Sequence, residues 1–292
     1  MQSKNIILFN TTSREDWFKS ICQYRNNYSQ EGNGVNVSID FKKDIKIEAL
    51  QPFHLATLAC LIQWLSDKGY KAYLKYSNKE VSDYIYNTLK FSEYWKGGRN
   101  HVEVKSPTNN IFNLWRIVNS EKDIYAKQVE NYFKQTEFQE KDLSSLSVCM
   151  AEAYYNVFDH AKAGNNAFSI ISYDDKKKIL HSAICDFGIG IARSVRDYDN
   201  SIVDDEEALK TAVLNNFSVK SQGHNKGKGL DNILTNSDEL RIVSGEAFLY
   251  STGSQRKTYH LPYYFRGTLI YFDVDLSKLE DEEILNEFDL FT

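Results

Sequence analysis

The sequence predicts a mixed α/β fold in two domains: a smaller α/β domain over residues 1–125 and a two-layer α/β sandwich over residues 126–292. Two patterns lead to this prediction. Between residues 35 and 89, strand-like alternation and helix-like spacing of apolar residues follow one another, as in a sheet backed by helices. After residue 140, an apolar helix precedes a hairpin and two later strands. At roughly 100–200 residues per domain, a chain of 292 residues suits two domains.

The composition is that of a globular protein with ordinary surface charge. Aromatic residues make up 14% of the chain and hydrophobic residues 42%, enough for a core in each domain. Lys and Arg number 35 against 40 Asp and Glu, for a net charge of −5. Because binding to nucleic-acid backbones favours a basic excess, we expect no nucleic-acid partner.

Membrane and secretion signals are not recognisable in the sequence. The longest nearly apolar stretch, residues 55–65, is too short to cross a bilayer, and the N-terminal residues carry no cleavage-site pattern. The four cysteines are scattered without metal-ligand spacing. We therefore expect a cytoplasmic protein with buried free thiols and no membrane contact.

The first domain alternates strands with helices. Alternation over residues 35–39 predicts a strand. Pro52 begins the next helix, where a missing N–H costs little, and Gly69 suits a left-handed cap at its end. A strand over residues 71–76 follows, and then a second amphipathic helix that reaches Leu89. This order predicts a sheet with right-handed crossovers.

We expect polar side chains of this domain to have structural roles and not catalytic ones. The spacing of Ser77 and Glu80 predicts a capping box at the start of the second helix. We expect His54 to be a partly exposed residue near a helix cap and Asp40 to be a turn residue. The pattern over residues 35–96, including KGYKAYLKYS and FSEYW, resembles the STAS-like domains of bacterial regulatory proteins. That resemblance implies a non-catalytic domain that binds a partner protein.

The junction between the domains lies within residues 97–141, where glycines and a proline interrupt a polar stretch. The apolar residues between 111 and 118 are expected to close the first domain as a strand or a short helix. Residues 122–139 are predicted to form a helix with a polar face.

The second domain opens with a helix that carries aligned polar groups. Glu152 and Asn156, followed by Asp159 or His160, lie along the edge of an apolar stripe at helical spacing. An edge position over a sheet suits a pocket wall, although the same pair also fits a solvated helix edge. The stripe consists of Leu143, Leu146, Met150, Ala153 and Val157.

Two glycine-containing motifs follow this helix. A predicted hairpin over residues 168–185 ends in Asp186, whose carboxylate can accept a hydrogen bond from an amine. Gly188 and Gly190 would let the backbone approach a flat or bulky group closely. Further along, Gly227, Lys228 and Gly229 precede Leu230 at a helix start, an arrangement suited to phosphate. The Walker and Rossmann patterns are absent.

In this order, the three motifs resemble the GHKL, or Bergerat-fold, ATP-binding domains of type II topoisomerases, chaperones, mismatch-repair proteins and histidine kinases. The resemblance covers about residues 140–275 and includes the Gly267-Thr268 pair on a later strand. It implies that ATP and Mg²⁺ are the ligands. Asn156 would hold the metal, and Glu152 would be the general base beside the phosphates.

The resemblance also implies how the rest of the nucleotide is held. Asp186 would accept from the adenine amine, with Gly190 beside the ring and Thr268 supporting the contact. The loop of Gly227, Lys228, Gly229 and Leu230 would wrap the phosphates. Residues 216–225 would form a lid that orders on nucleotide.

Three functional alternatives remain open at this point. The protein is an ATPase or an anti-sigma-type serine/threonine protein kinase, an ATP-gated interaction module with little turnover, or a scaffold that has lost nucleotide binding. Glu152 favours the enzyme. The lack of a recognisable phosphoacceptor histidine segment before residue 140 and of a transducer domain favours the module. The scaffold alternative is disfavoured because the sequence retains Asp186, Asn156 and Lys228. GHKL relatives often form homodimers, and the sequence leaves that arrangement open.

Overall fold

The computed structural model describes residues 5–91, 111–136, 138–160, 163–164, 166–214, 229–253 and 255–281, without the side chains of 111–115 and 159–160. It is a mixed α/β protein with one parallel and one antiparallel sheet. The strands are β1 (Asn5–Phe9), β2 (Asn36–Phe41), β3 (Lys71–Leu74), β4 (Ile111–Arg116), β5 (Ala167–Asp174), β6 (Ile179–Asp186), β7 (Glu239–Thr252) and β8 (Gln255–Asp275). The helices are α1 (Arg14–Asn27), α2 (Pro52–Asp67), α3 (Lys79–Asp83), α4 (Lys122–Thr136), α5 (Ser144–Tyr155), α6 (Ile191–Tyr198), α7 (Asp205–Ala212) and α8 (Gly229–Asn236).

The first sheet is parallel, with the strand order β1-β2-β3. The two strands predicted near residues 35–41 and 71–76 are confirmed as β2 and β3. The helix predicted to begin at Pro52 is confirmed as α2, and Gly69 after it has a φ of +77°, the left-handed conformation that glycine adopts without strain. The strand β1 and the helix α1 complete the unit.

Helix α2 is buried around nearly its whole circumference. Twelve of its sixteen residues are buried, which is unusual for a helix with a single packed face. One hydrophobic cluster explains this burial, because it joins β1, β2 and α2 to residues of β5, β6 and β8 such as Phe168, Cys185 and Leu269. The helix therefore lies between the two sheets and belongs to the core of both.

Three expectations about polar residues in this region are wrong. Asn78 caps α3 by accepting a hydrogen bond from the Val81 N–H at 3.1 Å, so the capping box predicted from Ser77 and Glu80 does not form. Ser77 Oγ instead donates to Asp40 Oδ2 at 3.0 Å. Asp40 is a buried residue within β2, not a turn residue.

His54 is also more buried than expected, at 2% exposure. Its Nδ1 accepts from the Gln51 N–H at 2.9 Å, so the other ring nitrogen donates to the Thr12 carbonyl at 2.9 Å. The ring lies edge-on to Trp17, with centroids 4.8 Å apart. The predicted place near the helix cap is correct, and the predicted exposure is wrong because α1 and the segment before it cover the residue.

The second sheet is antiparallel, with the strand order β4-β5-β6-β8-β7. The predicted hairpin is confirmed as β5 and β6, and the helix predicted from Leu143 is confirmed as α5. Strand β4 pairs with β5. The expectation that this segment closes the first domain is therefore wrong, because its backbone hydrogen bonds go to the second sheet.

The two faces of this sheet are covered by different elements. Helices α4 to α8 pack on one face, and α2 with the first sheet covers the other. Cys22, Cys60, Cys149 and Cys185 are free and buried, as predicted. None of the helices in the described part of the chain combines the length and hydropathy of a membrane span.

Candidate functional site

Asp186 and Thr268 are neighbours on the face of the antiparallel sheet that α4 to α8 cover. They lie directly opposite each other in the register of β6 and β8. Because side chains alternate between faces, Asp186 shares the face of Ser182, whose hydroxyl donates to Met150 Sδ of α5 at 3.1 Å. By the same alternation, Thr268 shares the face of Ile270, which packs in the core beneath the helices. The pair thus lies at the end of β6, on the face that carries α5.

The carboxyl group of Asp186 is fully buried and only partly satisfied. Its Oδ1 accepts from the Gly188 N–H at 2.7 Å, whereas Oδ2 accepts no hydrogen bond of ordinary geometry from the described residues. Burial raises the pKa of Asp186 to about 7, and the backbones of Gly188 and Thr268 together with the charge of Arg25 oppose that rise. A buried carboxyl oxygen without a partner is costly, and it is suited to a donor that arrives with a ligand.

The turn after Asp186 is fixed by close backbone packing. Gly190 has a φ of +87°, and a Cβ there would lie 2.6 Å from both the Gly267 carbonyl oxygen and Ser244 Oγ. Gly190 therefore has a reason within the protein to be glycine, and its position beside an adenine ring stays a prediction. Thr268 Oγ1 accepts from the Ile191 N–H at 3.0 Å, so it holds the first turn of α6 next to Asp186.

Glu152 and Asn156 face the beginning of α8. The Asn156 side-chain amide donates to the Glu152 carbonyl at 2.8 Å, which leaves its Oδ1 as the atom suited to a cation. A Cβ added at Gly229 would lie 3.5 Å from Glu152 Oε2 and 3.8 Å from Asn156 Nδ2. Asn232 of α8 donates to Glu152 Oε1 at 3.1 Å. The structure thus brings these residues of the first and third motifs together.

The first and second motifs are connected through a neighbouring contact. The chain continues from α5 into a π-helical turn, Asn156–His160, and this turn contacts α6. Helix α6 begins directly after Gly190. The segment that follows α5 and the helix that follows the Asp186 turn are therefore neighbours on one face of the sheet.

The phosphate-loop residues are only partly within the described chain. Gly227, Lys228 and the predicted lid over residues 216–225 lie outside it. Leu230 is 5% exposed and packs in the core beneath α8, so its side chain is a core residue. Its predicted part in wrapping the phosphates stays a prediction.

The donor set suits a weakly chelated hard cation. Within the described residues, no group of three or more His, Cys, Asp or Glu side chains could hold a metal ion. Mg²⁺ keeps several waters and is held by one or two protein oxygens plus substrate phosphates. The amide oxygen of Asn156 fits that requirement.

Three residues near the Asp186 turn were not singled out from the sequence. Asn166 accepts from the Phe187 N–H at 3.2 Å through its carbonyl, and its side chain donates to the Cys60 carbonyl of α2 at 3.1 Å. The Arg25 guanidinium lies 4.9 Å from the ring centroid of Phe187. Ser244 Oγ donates to the Gly267 carbonyl at 2.9 Å. No local sequence pattern identifies these three residues, because each contacts a residue that is far away in the sequence.

Comparison with known proteins gives no family assignment. No protein-family model matches the sequence, and no curated protein is significantly similar to it. The residues of the site therefore carry the functional conclusion.

Proposed function

We propose that the protein is a Mg²⁺-dependent ATP-binding regulatory protein of the GHKL type, which acts as an ATPase or as an anti-sigma-type serine/threonine kinase on a partner protein. The observation that carries this proposal is the buried Asp186 carboxyl, with one oxygen satisfied by Gly188 and the other without a partner. An ionised carboxyl is only an acceptor. In its ionised form, Asp186 would select a ligand that presents a donor at the end of β6, as the exocyclic amine of adenine does.

The phosphate end of the ligand is proposed to lie at the start of α8. The N–H groups of a helix N-terminus favour anions, and Gly229 brings that N-terminus against Glu152 and Asn156. Asn156 would hold Mg²⁺, a Lewis acid that neutralises charge on the phosphates when bound. Glu152 would take a proton from water or from an acceptor hydroxyl, and the Asn232 amide holds its carboxylate in place.

An alternative function is an ATP-gated interaction module with little turnover. One contact favours it: Phe187, directly after Asp186, packs against Arg25 of the first unit and lies 6.0 Å from the ring of Phe265. A nucleotide that engages Asp186 would thereby alter a residue in contact with α1. In both alternatives, the first unit is the proposed STAS-like domain that binds the partner protein.

Titrations with ATP and GTP in the presence of Mg²⁺ test nucleotide binding. We expect wild type to prefer ATP and Asp186→Asn to lose that preference, because a mismatched buried polar pair costs about 1–3 kcal/mol. Asp199→Asn, which changes a half-buried aspartate after α6, is the matched control. Equal binding of the two nucleotides by wild type would contradict the adenine assignment.

Phosphate release at saturating ATP separates the two functions. If the protein is an enzyme, Glu152→Gln retains ATP binding and loses phosphate release or transfer, whereas the exposed Glu207→Gln retains both. If it is a module, wild type binds ATP without measurable release, and Glu152→Gln leaves nucleotide affinity and partner binding unchanged.

A further inference from the structure

A separate cavity lies on the other face of the antiparallel sheet, away from Asp186 and Glu152. It is lined by α1, α2, β7 and β8, is partly open to solvent and has a volume of about 380 Å³, within the range of small-molecule pockets. Its wall is mainly apolar and includes Phe18, Phe53, Val243 and Leu269. These residues belong to the cluster that joins the two sheets, so the cavity is a gap at the seam between them.

Two arginines lie at one end of this cavity. Arg14 and Arg241 also line an adjoining, more open cavity of about 500 Å³, together with Phe248, Tyr250 and Tyr259. The two guanidinium groups therefore lie where an apolar chamber meets an aromatic groove. A ligand that occupied the chamber would place its outer end between them.

The two arginines differ in how their charges are balanced. Arg241 forms ion pairs with Asp273, at 3.1 Å, and with Glu239. Arg14 has no carboxylate within ion-pair distance in the described chain, and its guanidinium lies over the ring of Phe53 at 5.2 Å. The neighbouring Glu15 is paired with Lys19. Burial, and then the charge of Arg241, lower the pKa of Arg14, whereas Tyr271, Asp273 and Glu239 oppose that shift.

We propose that this cavity binds a small anionic amphiphile, with its carboxylate, sulfonate or phosphate between Arg14 and Arg241 and its apolar part in the chamber. The charge arrangement selects an anion, because a negative group would pair with Arg14 and reduce its repulsion from Arg241. The apolar wall selects a hydrophobic body, because the chamber offers it burial away from water. The volume of about 380 Å³ favours a small molecule over a folded partner.

Fluorescence titration with anilinonaphthalene sulfonate tests this site on the full chain. The probe combines a sulfonate with an apolar aromatic body, and the titration is run with and without saturating Mg²⁺ and ATP. We expect one saturable site that Arg14→Gln weakens about tenfold or more. Arg193→Gln, which removes an exposed arginine on the other face of the sheet, should leave the affinity unchanged.

Two further measurements keep the test decisive. Val243→Trp should abolish probe binding by filling the chamber while Arg14 stays in place. N-phenylnaphthylamine, a neutral analogue of the probe, should bind with equal affinity to wild type and Arg14→Gln. The proposal is overturned if Arg14→Gln and Arg193→Gln bind the sulfonate alike, if Val243→Trp leaves binding intact while circular dichroism reports a native fold, or if ATP displaces the probe.

Discussion

The buried Asp186 carboxyl makes the stability of the ligand-free protein dependent on pH. Burial raises its pKa from 3.8 to about 7, so the folded protein keeps a proton that the unfolded chain releases between those values. The contribution of this one group to stability is then greatest below about pH 4 and falls as the pH rises towards 7. At roughly 1.4 kcal/mol per pH unit, the loss amounts to about 4 kcal/mol.

Asp186→Asn removes this titration. The amide resembles the protonated acid in shape and charge, and its oxygen can still accept from Gly188. We therefore expect the variant to gain stability relative to wild type as the pH rises from 5 to 7, by up to about 3 kcal/mol. Above pH 7.5, the difference between the two proteins should become constant.

Urea denaturation at half-unit intervals from pH 5 to 8, without nucleotide, measures the difference. Asp199→Asn is the control, because hydrogen bonds from Ser201 lower the pKa of that carboxyl and keep it ionised throughout this range. A free-energy difference between wild type and Asp186→Asn that is the same at pH 5 and pH 8 would refute the account of the buried carboxyl.

Two further predictions concern the packing on either side of α2. Gly267→Ala should destabilise the protein by about 2–4 kcal/mol, because the φ of Gly267 is +118° and a Cβ there would lie 2.0 Å from the Asp186 carbonyl oxygen. Thermal unfolding measures the loss, with Gly164→Ala as the control, because a Cβ at Gly164 would have no atom within 4 Å. Equal losses of stability in the two variants would contradict the prediction. His54→Gln should become more stable relative to wild type as the pH falls from 6.5 to 4, by about 3 kcal/mol. Burial lowers the pKa of His54 to about 4 in the folded protein, whereas the histidine of the unfolded chain takes up a proton over this range, so the folded wild type loses stability as the pH falls. Acid titration of both proteins followed by circular dichroism measures the shift, and coincident midpoints would contradict the prediction.

Elements with strong local patterns were predictable from the sequence. The helix from Pro52, the hairpin and the helix carrying Glu152 all have regular spacing of apolar residues, and the structure confirms them. Strand β1 has a short, continuous apolar run that does not distinguish a strand from a helix. Its pairing partner β2 lies about thirty residues later in the chain, so no local signal identified it.

The errors in the first unit arise from tertiary contacts. Ser77 and Asn78 are adjacent candidates for the cap of α3, and the capping-box spacing favours Ser77. Asn78 takes the position because its side-chain amide also donates to the carbonyls of Lys42 and Ile45, each at 2.9 Å. That second role depends on the loop after β2, which no local pattern reports.

The site was predictable in residue types and only partly in physical detail. The end of a strand placed Asp186 correctly, and helical spacing placed Glu152 beside Asn156. The unpartnered Oδ2 of Asp186 could not be predicted, because it depends on burial by other segments. The requirement for glycine at position 190 depends on β8 and β7, which supply the Gly267 carbonyl and Ser244.

The double burial of α2 has a consequence for dissecting this protein into fragments. A cut between the first sheet and residue 111 would leave the antiparallel sheet with an uncovered hydrophobic face, and would expose to water the α2 side chains that now pack against it. Neither fragment would keep the core packing that it has in the intact chain. Deletion of the N-terminal portion therefore removes residues that pack against the sheet carrying Asp186. Loss of activity in such a truncation would not identify a regulatory role.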